Sequence, residues 1–213
     1  MYRLGPATPT RRFCAGWLVL SLAMAMAPCI GHAESNPQDT ISRFYGTLLA
    51  TMKSGAVLGT KGRYEQLAPA IRQDFDLPYM ARMAVGSSWT RLSDDQKKQV
   101  SDALARYMTA TYADNFDSYS GERFEVTGQQ TTSYGTIVQS RIVKSNGEPI
   151  RFNYLMRQDN GEWRVGDIYL TGTISQLATL RSQFSSVLDH GGAEGLAATL
   201  NRKAETLVTS VIP

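Results

Sequence analysis

The chain has 213 residues, 42% of them hydrophobic and 9% aromatic, with 22 Lys and Arg against 19 Asp and Glu. The whole surplus of positive charge, Arg3, Arg11 and Arg12, lies within the first 33 residues, where there is no acidic side chain; nineteen of each sign remain beyond them. That balance leaves no basic stripe, which excludes a nucleic-acid partner.

The three arginines precede an apolar run from Phe13 to Ala27, and Gly31-His32-Ala33 places small residues before Glu34. This is the layout of a secretory signal peptide over residues 1–33, cleaved to leave a single domain over 34–213. The run is shorter than the roughly 18 residues that cross a bilayer, which argues against a retained anchor. A hydrophobic residue follows Arg11-Arg12 too soon for a twin-arginine signal, and Pro28 before Cys29 disfavours lipidation. Both cysteines, Cys14 and Cys29, leave with the leader. The secreted domain therefore has no disulfide and depends on its core, for which about 180 residues suffice.

From Pro37 to Met52 apolar residues recur at helical spacing (Ile41, Phe44, Tyr45, Leu48, Leu49, Met52). A second helix is predicted from about Tyr64 to Phe75, with Pro69 as a kink or break. Asp76 caps a third, with Pro78 in its first turn and Met80, Met83, Ala84 and Trp89 along it. The fourth has the clearest start: Ser93 caps it, Asp94 and Asp95 suit its positive end, and Gln96 completes a capping box. Its expected buried stripe is Val100, Leu104, Tyr107, Met108, Thr111, Tyr112, Asn115 and Phe116.

At Tyr119 the period changes from 3.6 to 2. Strands are predicted over Arg123–Thr127, Thr136–Lys144, Ile150–Gln158 and Trp163–Thr171. Ser145-Asn146-Gly147-Glu148 and Asp159-Asn160-Gly161 supply the positive φ angles of tight hairpins, so the sheet is an antiparallel meander. Two helices follow, Ile174–Leu188 and about Ala193–Val208, separated by residues 189–192. The fold class expected is α+β: a curved four-stranded antiparallel sheet with helices packed on it.

Catalytic chemistry is sparse. The one histidine beyond the leader, His190, sits in a Gly-rich stretch and reads as a surface residue; no cluster of metal ligands is evident. Gly191-Gly192-Ala193-Glu194-Gly195 lacks the preceding strand and following lysine of a phosphate loop and reads as a helix start. Alternation places Trp163, Val165, Asp167 and Tyr169 on one face of the last strand. Asp167 is then either a base, with Tyr169 as electrophile, inside a sheet cavity, or part of a structural ion pair with Arg181. The helices carry many soft apolar groups, including Met52, Met80, Met83, Met108 and, on a strand, Met156. Such groups either fill a core or line a surface for variable apolar ligands.

Phe75-Asp76-Leu77-Pro78-Tyr79-Met80-Ala81-Arg82, followed by Trp89, Asp95-Gln96 and Phe116, resembles the helical half of the periplasmic lipid-shuttle family of the MlaC or toluene-tolerance type. Gly161-Glu162-Trp163-Arg164-Val165-Gly166-Asp167-Ile168 and Arg181-Ser182-Gln183-Phe184 resemble its second signature. Gly172-Thr173-Ile174-Ser175 departs from the family's usual Gly-Val-Ser. With residues 189–196 and Leu200-Asn201-Arg202-Lys203-Ala204 it resembles the hopanoid-associated HpnM branch.

The resemblance implies an NTF2-like α+β fold enclosing an apolar cavity, a periplasmic carrier of a hopanoid or phospholipid, and transient docking to membrane-embedded lipid-transport proteins. It implies no enzyme activity and no cofactor, the bound lipid being cargo. The helical stripes and strand alternation suggest Phe44, Leu48, Met80, Met83, Ala84, Leu104, Met108, Tyr112, Phe152, Tyr154, Met156, Ile168, Leu177 and Leu180 as lipid-binding residues. Trp163, Asp167 and Arg181 read as structural. The rivals are a cavity enzyme using Asp167 and Tyr169, and an envelope adaptor that carries nothing.

Overall fold

The computed structural model describes residues 36–209, which lie in one compact unit. The leader expected over residues 1–33 lies outside the described residues. None of the described helices is long and apolar enough to cross a membrane.

Helix α1 (Pro37–Lys53) begins where the Asn36 side chain accepts from the Gln38 amide, 3.1 Å, and buries the predicted stripe of Ile41, Phe44, Tyr45, Leu48 and Met52. Helix α2 (Gly55–Asp74) starts well before the predicted Tyr64, because its first turn carries exposed Val57 and gives no amphipathic signal. Gly59, at φ 61, bends α2; Pro69 sits inside the helix without breaking it. Buried Arg63 donates from Nε to the Ala113 carbonyl, 2.7 Å, and from Nη1 to that of Gly55, 3.2 Å, tying α2 to the next long helix.

Helix α3 (Leu77–Val85) is capped by Asp76, whose carboxylate accepts from the Tyr79 amide, and ends at Gly86, φ 71. That residue diverts the chain into a 3₁₀ turn, Gly86–Arg91, so Trp89 sits on this turn and not on α3. Helix α4 (Asp94–Asn115) has both halves of the Ser93/Gln96 capping box.

Five strands form one antiparallel sheet in chain order: β1 (Arg123–Thr132), β2 (Gly135–Val143), β3 (Pro149–Asp159), β4 (Glu162–Leu170) and β5 (Ile174–Ser175). The expected meander is present, but the expected count of four is corrected to five. Thr171 and Gly172, at φ 52 and 87, turn the chain back so that Ile174 and Ser175 pair with Leu170 and Tyr169 before the helix begins. A two-residue strand is too short to show a period. The β3–β4 hairpin has Asn160 and Gly161 at φ 50 and 84, as the Asn-Gly pair predicts.

A bulge in β4 has the largest effect on side-chain placement. Leu155 pairs with Asp167 and Met156 with Val165, leaving Gly166 as the extra residue. The alternation expected from Trp163 through Tyr169 therefore breaks at Gly166. Val165 and Ile168 share the core side, with Leu170 packed against it, while Asp167 and Tyr169 are shifted out of phase with Val165.

Helix α5 (Gln176–Thr209) is interrupted at Gly192, φ 59 and ψ −158, a single-residue break inside the predicted separation of two helices. The helices cover one face of the sheet. Phe44, Phe75, Val100, Leu104, Tyr154, Met156, Val165 and Leu196 belong to one continuous core.

Asp74 is buried at the end of α2 and accepts from Arg43 Nε and Nη2, at 3.1 and 2.6 Å. Burial nevertheless pushes its carboxyl above the ordinary aspartate value, the Arg43 contact opposing it. A raised carboxyl pKa means the folded state holds the proton more tightly. The associated stability is complete below the ordinary value and is lost as pH rises through the raised one. Asp74→Asn should therefore gain in stability relative to the parent chain as pH rises from about 4 to about 7, read from urea midpoints.

Candidate functional site

Helix α4 buries one arc and lines a cleft with another. On one, Ala103, Ala105, Ala110 and Ala113 are small enough to let α2 and α5 approach closely. On the other, Tyr107, Met108, Thr111, Tyr112, Asn115 and Phe116 face a half-open cleft of about 330 Å³. Met80 from α3 closes one side, and Gln176, Thr179, Leu180 and Gln183 from α5 the other. Phe152 of β3 and Ile168 and Leu170 of β4 form the sheet side. The wall is mostly apolar, and its polar groups are neutral: two threonines, three carboxamides and two tyrosines.

Tyr112 anchors this wall. Its ring meets Phe44 edge-on at 5.2 Å and stacks on Phe116 at 5.6 Å. Behind it, the Tyr154 ring packs edge-on against Tyr45, centroids 5.9 Å apart. Tyr45 Oη lies 2.6 Å from Ser140 Oγ, and Ser140 donates to the Phe152 carbonyl. Burial pushes all three phenols above their usual value, so they remain neutral hydroxyls at physiological pH.

Of the residues suggested by sequence, Met80, Met108, Tyr112, Phe152, Ile168 and Leu180 line the cleft. Phe44, Leu48, Ala84, Leu104, Tyr154, Met156 and Leu177 are buried and do not line it. Met83 is 39% exposed and is not part of the wall either. Sequence reasoning missed Tyr107, Thr111, Asn115, Phe116, Leu170, Gln176, Thr179 and Gln183 as wall residues. For α4 the signal existed: its predicted stripe holds Tyr107, Thr111, Asn115 and Phe116, assigned there to burial. The three on α5 are polar, and an apolar-stripe criterion passes over them.

Asp167 is buried but is not on the cleft wall, and neither is Tyr169. One Asp167 oxygen accepts from the amides of Ile168, 2.7 Å, and Leu177, 3.2 Å; the other accepts from Ser175 Oγ, 2.6 Å. The carboxylate thus joins β4 and β5 to the start of α5. The expected ion pair with Arg181 is corrected: Asp167 is held by a hydroxyl and two backbone amides. The Arg181 guanidinium lies against Gly86, where a Cβ would come within 2.7 Å of it. His190 is exposed within α5, its Nδ1 2.7 Å from the Ser186 carbonyl oxygen.

A second depression, of about 420 Å³, is lined by Gln139, Arg141, Arg151, Asn153 and Thr171–Thr173 among others. It is polar, and Arg141 is paired with Glu125 at 2.7 Å. It offers no apolar wall.

The fold is similar to that of a phospholipid-binding protein from Ralstonia solanacearum, solved in complex with a phospholipid. The two share a TM-score of 0.70 and 22% identity over 81% of this chain and 99% of that one. No curated protein matches the sequence. Residues 43–202 match the family described as MlaC protein, which takes in α1 from Arg43 onward, the whole sheet and α5 as far as Arg202. The chain therefore belongs to the MlaC family.

Proposed function

We propose that this chain is a periplasmic lipid carrier, exported by the leader over residues 1–33 and moving a hopanoid or phospholipid between the inner and outer membranes. The single observation that carries the reading is the half-open apolar cleft between α4, α5 and the sheet. The phospholipid held by the structurally similar Ralstonia solanacearum protein supports it. A lipid chain in water costs about 0.8 kcal/mol per CH₂, so two chains of about 16 carbons oppose free transfer by on the order of 20 kcal/mol. A carrier needs a cavity, a mouth and weak docking surfaces on membrane-embedded transport proteins. It needs no reacting group.

The cleft volume is at the lower end of ligand pockets, about 300–1,000 Å³. A two-chain lipid therefore requires the α5 wall to move outward from the sheet or one chain to remain outside. The cavity-enzyme reading requires Asp167 and Tyr169 at the cargo, whereas neither lines the cleft. Residues 189–196 and 200–204 support placement in the HpnM branch by resemblance.

Native mass spectrometry with lipid extraction, on protein from the periplasm of a hopanoid-producing host, tests the carrier reading. A stoichiometric hopanoid or phospholipid is expected. Protein of bare mass, still empty after incubation with both lipid classes, would favour the adaptor. Thr111→Trp, which fills the cleft from its half-exposed α4 wall, should lower bound lipid several-fold while changing stability by no more than about 0.5 kcal/mol. Met83→Glu, on an exposed site away from the wall, should leave the lipid content unchanged. Equal loss in both variants would place the cargo elsewhere.

A further inference from the structure

One end of the cleft is built where three elements stop or start: Asn115 and Phe116 close α4, Leu170 closes β4 and Gln176 opens α5. Asn115 is exposed, so the cleft opens to solvent there. Five large apolar side chains are exposed among the described residues, and three of them flank this opening. Ile174, 54% exposed, pairs with the wall residue Leu170 and lies two positions before Gln176. Tyr119, 41% exposed, follows Phe116 by three residues. Val57, 92% exposed, projects from the first turn of α2, whose Gly55 packs so closely on the Asp117 carbonyl that a Cβ would not fit.

Cations stand beside these tips. The Lys53 ammonium lies over the Tyr119 ring, 5.2 Å from its centroid. Arg151 shares a polar depression with the Thr171–Thr173 turn that leads to Ile174, and no carboxylate lines it. Neither cation forms an ion pair within the described residues. The carboxylates nearby are engaged: Glu125 and Glu148 pair with Arg141 and Lys144, at 2.7 and 3.0 Å, and Asp117 and Glu122 accept from Ser118 Oγ and the Ser120 amide. The three apolar side chains project from separate segments rich in Ser, Thr and Gly. A protein partner needs a packed apolar centre within about 800 Å² on each side. A bilayer takes such groups one at a time: aliphatic side chains enter the acyl boundary, a phenol stops at the headgroups, and Lys or Arg reaches the phosphates.

We infer that this end of the cleft docks directly on an anionic lipid bilayer, with Val57, Tyr119 and Ile174 entering its headgroup layer and Lys53 and Arg151 meeting its phosphates. This rests on the carrier reading above, and it sets the opening of the cleft against the layer that holds the cargo. The test floats the purified protein with vesicles of phosphatidylcholine alone, or of equal parts phosphatidylcholine and phosphatidylglycerol. Native mass spectrometry then reads the lipid held by the recovered protein. Binding to the anionic vesicles should exceed binding to the neutral ones several-fold and fall in high salt. Val57→Asp and Ile174→Asp should each lower it about tenfold, and Arg151→Glu several-fold, with unfolding close to that of the parent. Tyr134→Asp, exposed at the β1–β2 turn at the other end of the sheet, should leave it unchanged. No binding to the anionic vesicles, equal binding to both, or an equal loss in Tyr134→Asp overturns the docking. Lipid still present in the recovered protein then leaves the carrier reading standing. Protein that docks yet is recovered bare of lipid upholds the docking and counts against a phospholipid cargo.

Discussion

Phe44→Ala is expected to destabilise the domain by about 3–5 kcal/mol, a large part of the roughly 5–15 kcal/mol that holds a domain folded. Phe44 is fully buried, and its ring meets Phe75 edge-on at 5.1 Å and Tyr112 at 5.2 Å. Truncation removes the burial of an aromatic ring and leaves a cavity that α1, α2 and α4 close only in part. It also releases Tyr112, whose orientation forms the cleft wall. Urea unfolding measures the loss, and lipid content should be counted per folded molecule. A variant that loses lipid yet unfolds at the parent's midpoint would show that Phe44 touches cargo and is not a core residue.

Asp167→Ala should cost about 2–4 kcal/mol, and Asp167→Asn no more than about 1 kcal/mol. The alanine leaves the buried amides of Ile168 and Leu177 without an acceptor and frees the Ser175 hydroxyl. The asparagine keeps one acceptor oxygen for the amides and presents its NH₂ to a hydroxyl able to accept. Denaturation midpoints give the two costs, and amide exchange at Leu177 reports the start of α5 directly. A general base would behave differently: Asn and Ala would be equally inactive on any turned-over lipid, whatever their stability. Asparagine retaining both stability and lipid content is the outcome expected of a carrier whose Asp167 joins strand to helix.

Much of the architecture is legible in the local sequence. The Ser93/Gln96 capping box starts α4 where predicted, Asp76 caps α3, and Asn160-Gly161 closes the β3–β4 hairpin. Each is a short-range rule in which a side chain a few residues away satisfies a backbone group or permits a backbone angle. The miss at α2 has the opposite cause. Its first turn is held by Arg63 reaching Gly55 and Ala113, contacts that no local pattern reveals.

The hydrophobic periods of the chain by themselves determined an α+β domain and most of the elements it contains. Only the tertiary structure decided which apolar residues form the cleft and which the core. Phe44 and Tyr112 each follow a good helical stripe, yet one is sealed by Phe75 while the other faces open space. A period records which side of a helix avoids water, and a packed neighbour and a cavity satisfy that requirement equally. The strands needed tertiary information for a related reason: one extra residue, Gly166, reverses which face the side chains after it occupy. Its small size fits the close approach of Arg157, where a Cβ would come within 2.6 Å. That approach is a contact between two strands, so the residues of β4 alone do not contain it.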